Sequence, residues 1–306
     1  MFDTLGIYWD IEGVPQQYKD CCGVDGRMHQ SRKPIRNLTL IEKYRGSYTH
    51  CELIGSIPRY LHGDNLNSAT PEEVRLAYLE VSEIVKYPLL TAKVGRVDVP
   101  VDIELEKPPK AYFRWLYGHK RGYDILPQNE TSLLFRHRSM MREIEFYDKV
   151  AEMIRYKRDV TGIEDDNRMR VEYRLMKSVT GSFFPSARCN NVENLLKPES
   201  CAKLKDWMIR EYQNVEKQRN IYTMKKELVE PTAGDKKDYA AALFMTMYPE
   251  EYSAFVAQPF ETAASRSERS RMKKQDRRLQ ELVKETENGM VEELDNKVME
   301  AIDRMQ

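Results

Sequence analysis

Asp98, Asp102, Glu104, Glu143, Glu145, Tyr147, Glu172 and Arg174 fall at alternate positions of three short runs. In residues 95–105, Val97, Val99, Val101, Ile103 and Leu105 face one way, and Asp98, Pro100, Asp102 and Glu104 the other. In residues 142–147, Ile144 and Phe146 alternate with Glu143, Glu145 and Tyr147; in residues 170–175, Val171, Tyr173 and Leu175 alternate with Arg170, Glu172 and Arg174. A period of two is that of a half-buried strand. If the three strands neighbour one another, several carboxylates meet one tyrosine. Carboxylate oxygens suit hard divalent cations, which can polarise a phosphate and offset charge in its transition state. A tyrosine hydroxyl can attack phosphorus and hold a nucleic-acid strand covalently. Lys149 stands two residues beyond Tyr147, placed to lower the phenol's pKa or to hold phosphate. The nearby Arg136, His137, Arg138 and Arg142 can guide a phosphate backbone. The same alternation also describes strands whose charged sides simply face water, and Tyr147 is one of 18 tyrosines.

The positioning elements are legible around these runs. Leu53 and Ile57 lie on one side of a short strand and Ile54 on the other. Gly63-Asp64-Asn65 has turn chemistry, and His62 reads first as a turn residue. Thr70-Pro71-Glu72-Glu73 is a capping box with Pro at the first helical position. Val74, Ala77, Tyr78, Val81, Ile84 and Val85 then mark the buried side of a helix that ends at Tyr87-Pro88. Pro100 predicts an edge strand or a bulge. A helix with Val150, Met153 and Ile154 buried joins the second run to the third. After about residue 200 the pattern is helical, with Trp207, Met208, Tyr212 and Val215 on one helix and residues 238–247 on another. Leu279, Leu282, Val291, Leu294, Val298, Ile302 and Met305 recur three or four apart, as in a coiled-coil arm or a helix docked on the body.

Composition bounds the reading. The chain has 306 residues, 41% of them hydrophobic, enough for a substantial core. Lys plus Arg equals Asp plus Glu at 49 each, so nucleic-acid binding has to rest on local patches. One such patch is Arg266, Arg269, Arg271, Lys273, Lys274, Arg277 and Arg278. Cys21, Cys22, Cys51, Cys189 and Cys201 form no CxxC pair, which argues against zinc and for a reducing compartment. Neither a secretory leader nor a membrane-crossing run is expected.

Several short motifs resemble one family. Met1-Phe2-Asp3-Thr4, followed by Ser56-Ile57-Pro58-Arg59-Tyr60-Leu61-His62-Gly63-Asp64-Asn65, is similar to the start and the S-hydrophobic-P-K signature of phage and plasmid replication initiation proteins of the filamentous-phage gene II and X type. Arg96 to Asp102 resembles that group's RIDxAxD strand, Glu145-Phe146-Tyr147-Asp148-Lys149 its Y-D-K segment, and Arg170-Val171-Glu172 its R-hydrophobic-E. A related order occurs in Rep-trans rolling-circle initiators. The resemblance covers roughly residues 1–180.

It implies an enzyme, a site-specific DNA endonuclease and strand transferase. Such an enzyme nicks single-stranded DNA at an origin, stays on the 5′ phosphate through a phosphotyrosine, and rejoins the strand after rolling-circle synthesis. Carried over, Tyr147 is the nucleophile with Lys149 beside it; Asp98, Asp102 and Glu172 bind Mg²⁺ or Mn²⁺; and Arg136, Arg138, Arg142 and Arg174 contact DNA. Origin DNA, a host helicase and a host polymerase are the implied partners, in the bacterial host cytoplasm. The His-hydrophobe-His motif of many replication nickases is absent, since His119-Lys120-Arg121 and His137-Arg138-Ser139 do not supply it. The alternative is a non-catalytic DNA-binding replication or partition factor.

The expected fold is α+β, an antiparallel sheet with packed helices followed by a helical C-terminal region. The expected division is a nicking domain over 1–195, a helical region over 196–260 and a charged helical tail over 261–306. That tail is expected to serve homo-oligomerisation or DNA retention.

Overall fold

The computed structural model describes residues 1–13, 29–45, 47–163, 166–176, 189–224, 233–247 and 283–305. Contacts divide the chain into one unit of residues 1–217 with 293–306, and a second of residues 218–292.

The first unit is built on one sheet. Its strands are β1 (Thr4–Glu12), β2 (His29–Ile35), β3 (Leu38–Arg45), β4 (Tyr48–Ser56), β5 (Lys93–Glu104), β7 (Tyr123–Asn129), β8 (Ser132–His137), β9 (Arg142–Asp148) and β10 (Arg168–Met176). They run in the order β2-β3-β4-β1-β5-β10-β9-β8-β7, and every adjacent pair is antiparallel. Between β4 and β5 come helices α1 (Ile57–His62) and α2 (Pro71–Val85). A small two-stranded sheet pairs β6 (Leu116–His119) with β11 (Val215–Lys217). Helices α3 (Lys110–Phe113), α4 (Lys149–Arg155), α5 (Val192–Leu195) and α6 (Pro198–Gln213) complete the α+β architecture. The second unit pairs β12 (Asn220–Met224) with β13 (Val283–Glu287) and contains α7 (Ala233–Met247).

The three alternating runs are neighbours at the sheet's centre. Residues of β5, β10 and β9 stand opposite one another as Asp102–Arg170–Tyr147, Pro100–Glu172–Glu145 and Asp98–Arg174–Glu143. On the other face Val97, Val99, Val101, Ile144, Phe146, Val171, Tyr173 and Leu175 are buried. Helix α6 covers that face, with Trp207 edge-on to Tyr173 and Tyr212 near Phe146.

Pro100 lies inside this central strand rather than at a sheet edge. Asp98 gives its carbonyl to the Asp3 N–H, so Pro100, two residues on, turns its backbone the same way. There β1 has already run out, because it starts at Thr4. The missing N–H therefore costs no ladder bond.

The capping box forms as the sequence predicts. Glu73 N–H donates to the Thr70 hydroxyl at 3.2 Å and Thr70 N–H donates to the Glu73 carboxylate at 2.8 Å. Ile84 and Ile154, expected inside, are exposed; each lies in the last turn of its helix, past the last buried residue, Val81 and Met153 respectively. The boundary expected near residue 195 shifts, because α6 belongs to the sheet's own core. Helix α8 (Gly289–Arg304) puts residues from Glu293 onward on the first unit. Tyr112 donates to Glu293, Tyr212 donates to Asp295 at 2.9 Å, and Leu294, Val298 and Ile302 are buried. That part of the tail is a docked helix. Leu279, Leu282 and the basic patch at 266–278 lie outside the described residues.

Gly55 sits between β1 and β3, opposite Leu5 and Leu38. A Cβ there would stand 2.7 Å from the Asn37 carbonyl oxygen and 3.0 Å from the Leu38 Cα. Both are backbone atoms that cannot swing aside. Gly55→Ala is expected to lower stability by about 1–3 kcal/mol, read as a shifted urea midpoint with an unchanged slope. An unshifted midpoint would show that the strands part without cost.

Candidate active site

A cleft of about 530 Å³ opens over the polar face of the sheet. Asp98, Glu145, Tyr147, Glu172 and Arg174 line it from β5, β9 and β10; Asp3, Arg59 and Asn65 line it from the chain start and the α1 segment; Arg155 and Tyr156 line it from the end of α4. Alternation on β9 puts Tyr147 on this face, because Ile144 and Phe146 take the core.

Tyr147 is 8% exposed, and its hydroxyl donates to Glu172 Oε2 at 2.9 Å. Burial, then the nearby Glu172 charge, hold its phenol well above the ordinary value of 10. The phenol thus rests un-ionised, with its proton aimed at a carboxylate.

The carboxylates are tied to arginines. Arg174 donates from Nε to Glu172 at 2.8 Å, from Nη1 to Glu143 at 3.0 Å and from Nη2 to Glu145 at 2.6 Å, with Asp98 3.7 Å from its Nε. Arg96 grips Asp98 with two donors, at 2.8 and 2.5 Å. Arg170 is fully buried and grips Asp102 with two donors at 2.7 Å. It also donates to the Asn65 and Leu66 carbonyls at 2.8 and 3.2 Å, and to Asp3 at 3.4 Å.

These contacts place the sequence-derived candidates unequally. Tyr147, Asp98, Glu172 and Arg174 share the cleft; Asp102 does not line it. Asp98 and Asp102 are four residues apart on one strand, about 13 Å at a rise of about 3.3 Å per residue. Two ligand oxygens of one Mg²⁺ span at most about 4 Å, and two aspartates cannot close that gap. Among the described residues no group of three or more His, Cys, Asp or Glu side chains is arranged to hold an ion. Asp98, Asp102 and Glu172 as placed therefore do not fit one divalent cation.

Lys149 lies beneath the cleft, with no side-chain exposure. It donates to Asn65 Oδ1 at 3.1 Å and to Glu152 at 2.9 Å. Burial, then the charge of Arg170, push its pKa down. It supports Asn65 rather than reaching a ligand. Arg136 pairs with Glu143 at 2.6 Å, and the exposed Arg138 reaches Asp124 at 3.4 Å. Arg142 points to the opposite face, in step with Ile144 and Phe146.

Arg59, Asn65 and Arg155 were not among the residues expected at the site, and Tyr156, a rival to Tyr147 in the sequence but disfavoured for lying on the following helix, also lines the cleft. Asn65 Oδ1 accepts from Arg59, Lys149 and Arg158 at 3.1–3.3 Å, and Asn65 Nδ2 donates to Asp3 at 3.0 Å. Arg59 Nε is buried without a hydrogen-bond partner among the described residues, and the Arg59 guanidinium stands a loose 4.0 Å from Glu152. Arg155 forms no ion pair among the described residues. Tyr156 is 59% exposed, with the Arg158 guanidinium 5.0 Å over its ring. The Ser56–Asn65 motif carried a signal for Arg59 and Asn65. Nothing local marks Arg155, which reaches the cleft, as Tyr156 does, because α4 follows β9 directly.

Burial pushes the Asp98 carboxyl up to about 7; the Arg96 hydrogen bonds oppose it and the Glu172 charge adds to it. A folded pKa raised above the unfolded one gives stability that is present below the ordinary value of 3.8 and lost as pH rises through about 7. Asp98→Asn removes that dependence. Its melting temperature relative to the unaltered chain should rise between about pH 5 and about pH 8; a constant difference would mean that Asp98 titrates normally. Asp102→Asn should instead cost about 3 kcal/mol at both pH values, because it leaves buried Arg170 without its two-donor carboxylate and with Asp3, at 3.4 Å, as its remaining anion.

Residues 9–193, more than half of the chain, match the Phage_CRI family, described as the N-terminal region of a replication-associated protein. No curated protein sequence matches the chain. A solved structure, the rolling circle replication initiator protein from Geobacillus stearothermophilus, is similar at 13% identity, over 78% of this chain and 90% of that one, with a TM-score of 0.34. At that score the likeness has no bearing on the site.

Proposed function

The chain belongs to the Phage_CRI family of replication-associated proteins, and on that premise we propose that it nicks and rejoins one DNA strand at a rolling-circle origin, with Tyr147 as the nucleophile. The observation that carries this reading is the 2.9 Å hydrogen bond from the Tyr147 hydroxyl to Glu172 inside an open, arginine-lined cleft. It is the nucleophile–base pairing that covalent catalysis needs.

The step follows from that bond. The Tyr147 oxygen attacks a backbone phosphorus as its proton passes to Glu172. The bond from phosphorus to the 3′ oxygen breaks, and that oxygen leaves as a hydroxyl after taking up a proton from water. The 5′ phosphate stays on Tyr147 as a diester, so a 3′ hydroxyl can later reverse the step without an outside energy source. A phenol held un-ionised by burial attacks only as its proton leaves, which makes the carboxylate's position decisive. Arg155, with no ion pair among the described residues, and Arg59, whose Glu152 contact is a loose 4.0 Å, are the candidates to bind the phosphate oxygens. Arg96 and Arg174 are occupied by carboxylates and act by holding Asp98 and Glu172 in place. Mg²⁺ or Mn²⁺ enters no step here, because its three expected ligands do not surround one point. Origin DNA is the substrate, and a host helicase and polymerase in the bacterial cytoplasm are the partners this reading requires.

Tyr147→Phe keeps the ring and removes the oxygen. It should lower nicking of single-stranded origin fragments by at least about 10³-fold and abolish the covalent adduct, while Tyr156→Phe keeps the adduct. Peptide mapping of trapped complexes checks this. A nucleotide on Tyr156, or full activity in Tyr147→Phe, would overturn the assignment. Strand binding with no adduct on any tyrosine would instead favour the non-catalytic DNA-binding factor.

A further inference from the structure

A second cavity, of about 420 Å³, lies on the helix-covered face of the sheet, away from the cleft. Arg121, Arg142, Lys203, Arg210, Trp207 and Glu211 line it, together with Asp206. Lys203, Asp206, Trp207 and Arg210 form one stripe of α6 at helical spacing. Arg142 comes from the start of β9, on the side that Ile144 and Phe146 share.

Two features set this cavity apart from ordinary charged surface. Arg142, Lys203 and Arg210 make no ion pair among the described residues, whereas Arg96, Arg136, Arg170 and Arg174 are each held by carboxylates. The cavity also contains a buried, incompletely bonded acceptor. Glu211 has no side-chain exposure; its Oε2 accepts from the Tyr123 hydroxyl at 3.0 Å, but its Oε1 has no hydrogen-bond partner among the described residues and lies 3.6 Å from Arg121. A buried carboxylate oxygen left unbonded is costly unless something supplies a donor.

We infer that this cavity takes one nucleotide of single-stranded DNA, with a backbone phosphate on Arg142, Lys203 and Arg210 and a base N–H on Glu211 Oε1. Three cations with no ion pair among the described residues match a phosphodiester. Every base bears an N–H donor on its pairing edge once it is unpaired, and no bare inorganic anion at neutral pH would favour a carboxylate. The Trp207 ring adds an apolar wall of the kind that bases settle against. Strand β9 presents Arg142 on one face and Tyr147 on the other, so the cavity lies beyond the edge of the cleft rather than in it. The inference rests on the DNA-handling reading of the chain, but not on the chemistry at Tyr147.

The test is fluorescence anisotropy of a labelled single-stranded dodecamer with the full chain, across a salt series. The triple variant Arg142→Ala, Lys203→Ala, Arg210→Ala changes only side chains at the surface or rim. It should weaken binding at least about tenfold and make the salt dependence shallower by at least about 0.7, the share of one phosphate on a single strand. Tyr147→Phe should bind as the unaltered chain does. A dodecamer with abasic positions should lose affinity for the unaltered chain and not for the triple variant. Unchanged affinity and slope in the triple variant would overturn the assignment even if nicking through Tyr147 holds. Equal binding of abasic and intact strands would overturn the role of Glu211. Loss of nicking alone, with this pattern intact, would count against the Tyr147 reading only.

Discussion

Arg170 is the constraint on which the rest of the structure depends. A guanidinium with no solvent exposure has to find its hydrogen bonds inside the protein or unfold it. Here it finds Asp102 across the β5–β10 ladder, the Asn65 and Leu66 carbonyls beyond α1, and Asp3 ahead of β1. Those partners come from three distant stretches of sequence. Satisfying one side chain therefore fixes the chain start, the Ser56–Asn65 motif and the central strands together. Asn65 carries the constraint on, since its side chain holds Arg59, Lys149 and Asp3 while its backbone holds Arg170. The turn-forming Gly63-Asp64-Asn65 is thus part of the core through its backbone, since the Asn65 carbonyl accepts from Arg170.

The polar face shows how a chain with no net charge can still present local fields. Within the cleft, Arg174 sits among Glu143, Glu145, Glu172 and Asp98, and Arg96 completes Asp98. Such a lattice is stiff, because Arg174 binds several carboxylates at once and Asp98, Glu143 and Glu172 each have a second partner. Its carboxylates outnumber its arginines, four to two, so the lattice itself does not draw a phosphate backbone. Attraction falls to the cations outside the lattice: Arg59 and Arg155 at the cleft, and Arg142, Lys203 and Arg210 on the far face. Counting 49 charges of each sign could not reveal this, because the balance conceals which charges are already spent.

Alternation made the sheet's centre legible. Val97 to Leu105, Ile144 with Phe146, and Val171 with Tyr173 and Leu175 assigned faces correctly because the strand period leaves only two choices. The Thr70 capping box was legible for the same reason, being a local bond pattern at fixed spacing. Pairing partners were not: that Arg170 would bind Asp102, or that Arg174 would collect four carboxylates, depends on register between strands far apart in sequence. Alternation told that Asp98 and Asp102 share a face, but not that each would be claimed by a different arginine about 13 Å apart along the strand. Lys149 looked accessible beside Tyr147, yet it begins a helix that turns it under the cleft. Arg142 counted as one of a basic cluster by proximity, while strand parity sends it to the opposite face from Arg136 and Arg174.

That parity joins the two sites. On β9 the odd positions Glu143, Glu145 and Tyr147 belong to the cleft and the even positions belong to the helix-covered face. A strand of DNA engaged by both would pass around the sheet rather than along it. The β7–β8 hairpin lies at that end of the sheet, and β7 is an edge strand, so backbone there is not covered by another strand of the sheet. Exposed Arg138 stands just past β8, beside this edge, with Asp124 at a loose 3.4 Å. An ion pair of that length between exposed groups is worth little, and a phosphate can replace the carboxylate at small cost. The geometry thus separates two tasks that one basic patch would confuse. On the proposed reading, chemistry sits where charges are locked and the phenol is largely buried, and the strand is held by cations that carry no ion pair among the described residues and are salt-sensitive. On that reading a substrate can stay bound while the Tyr147 oxygen is covalently occupied, which the joining half of the proposed reaction requires.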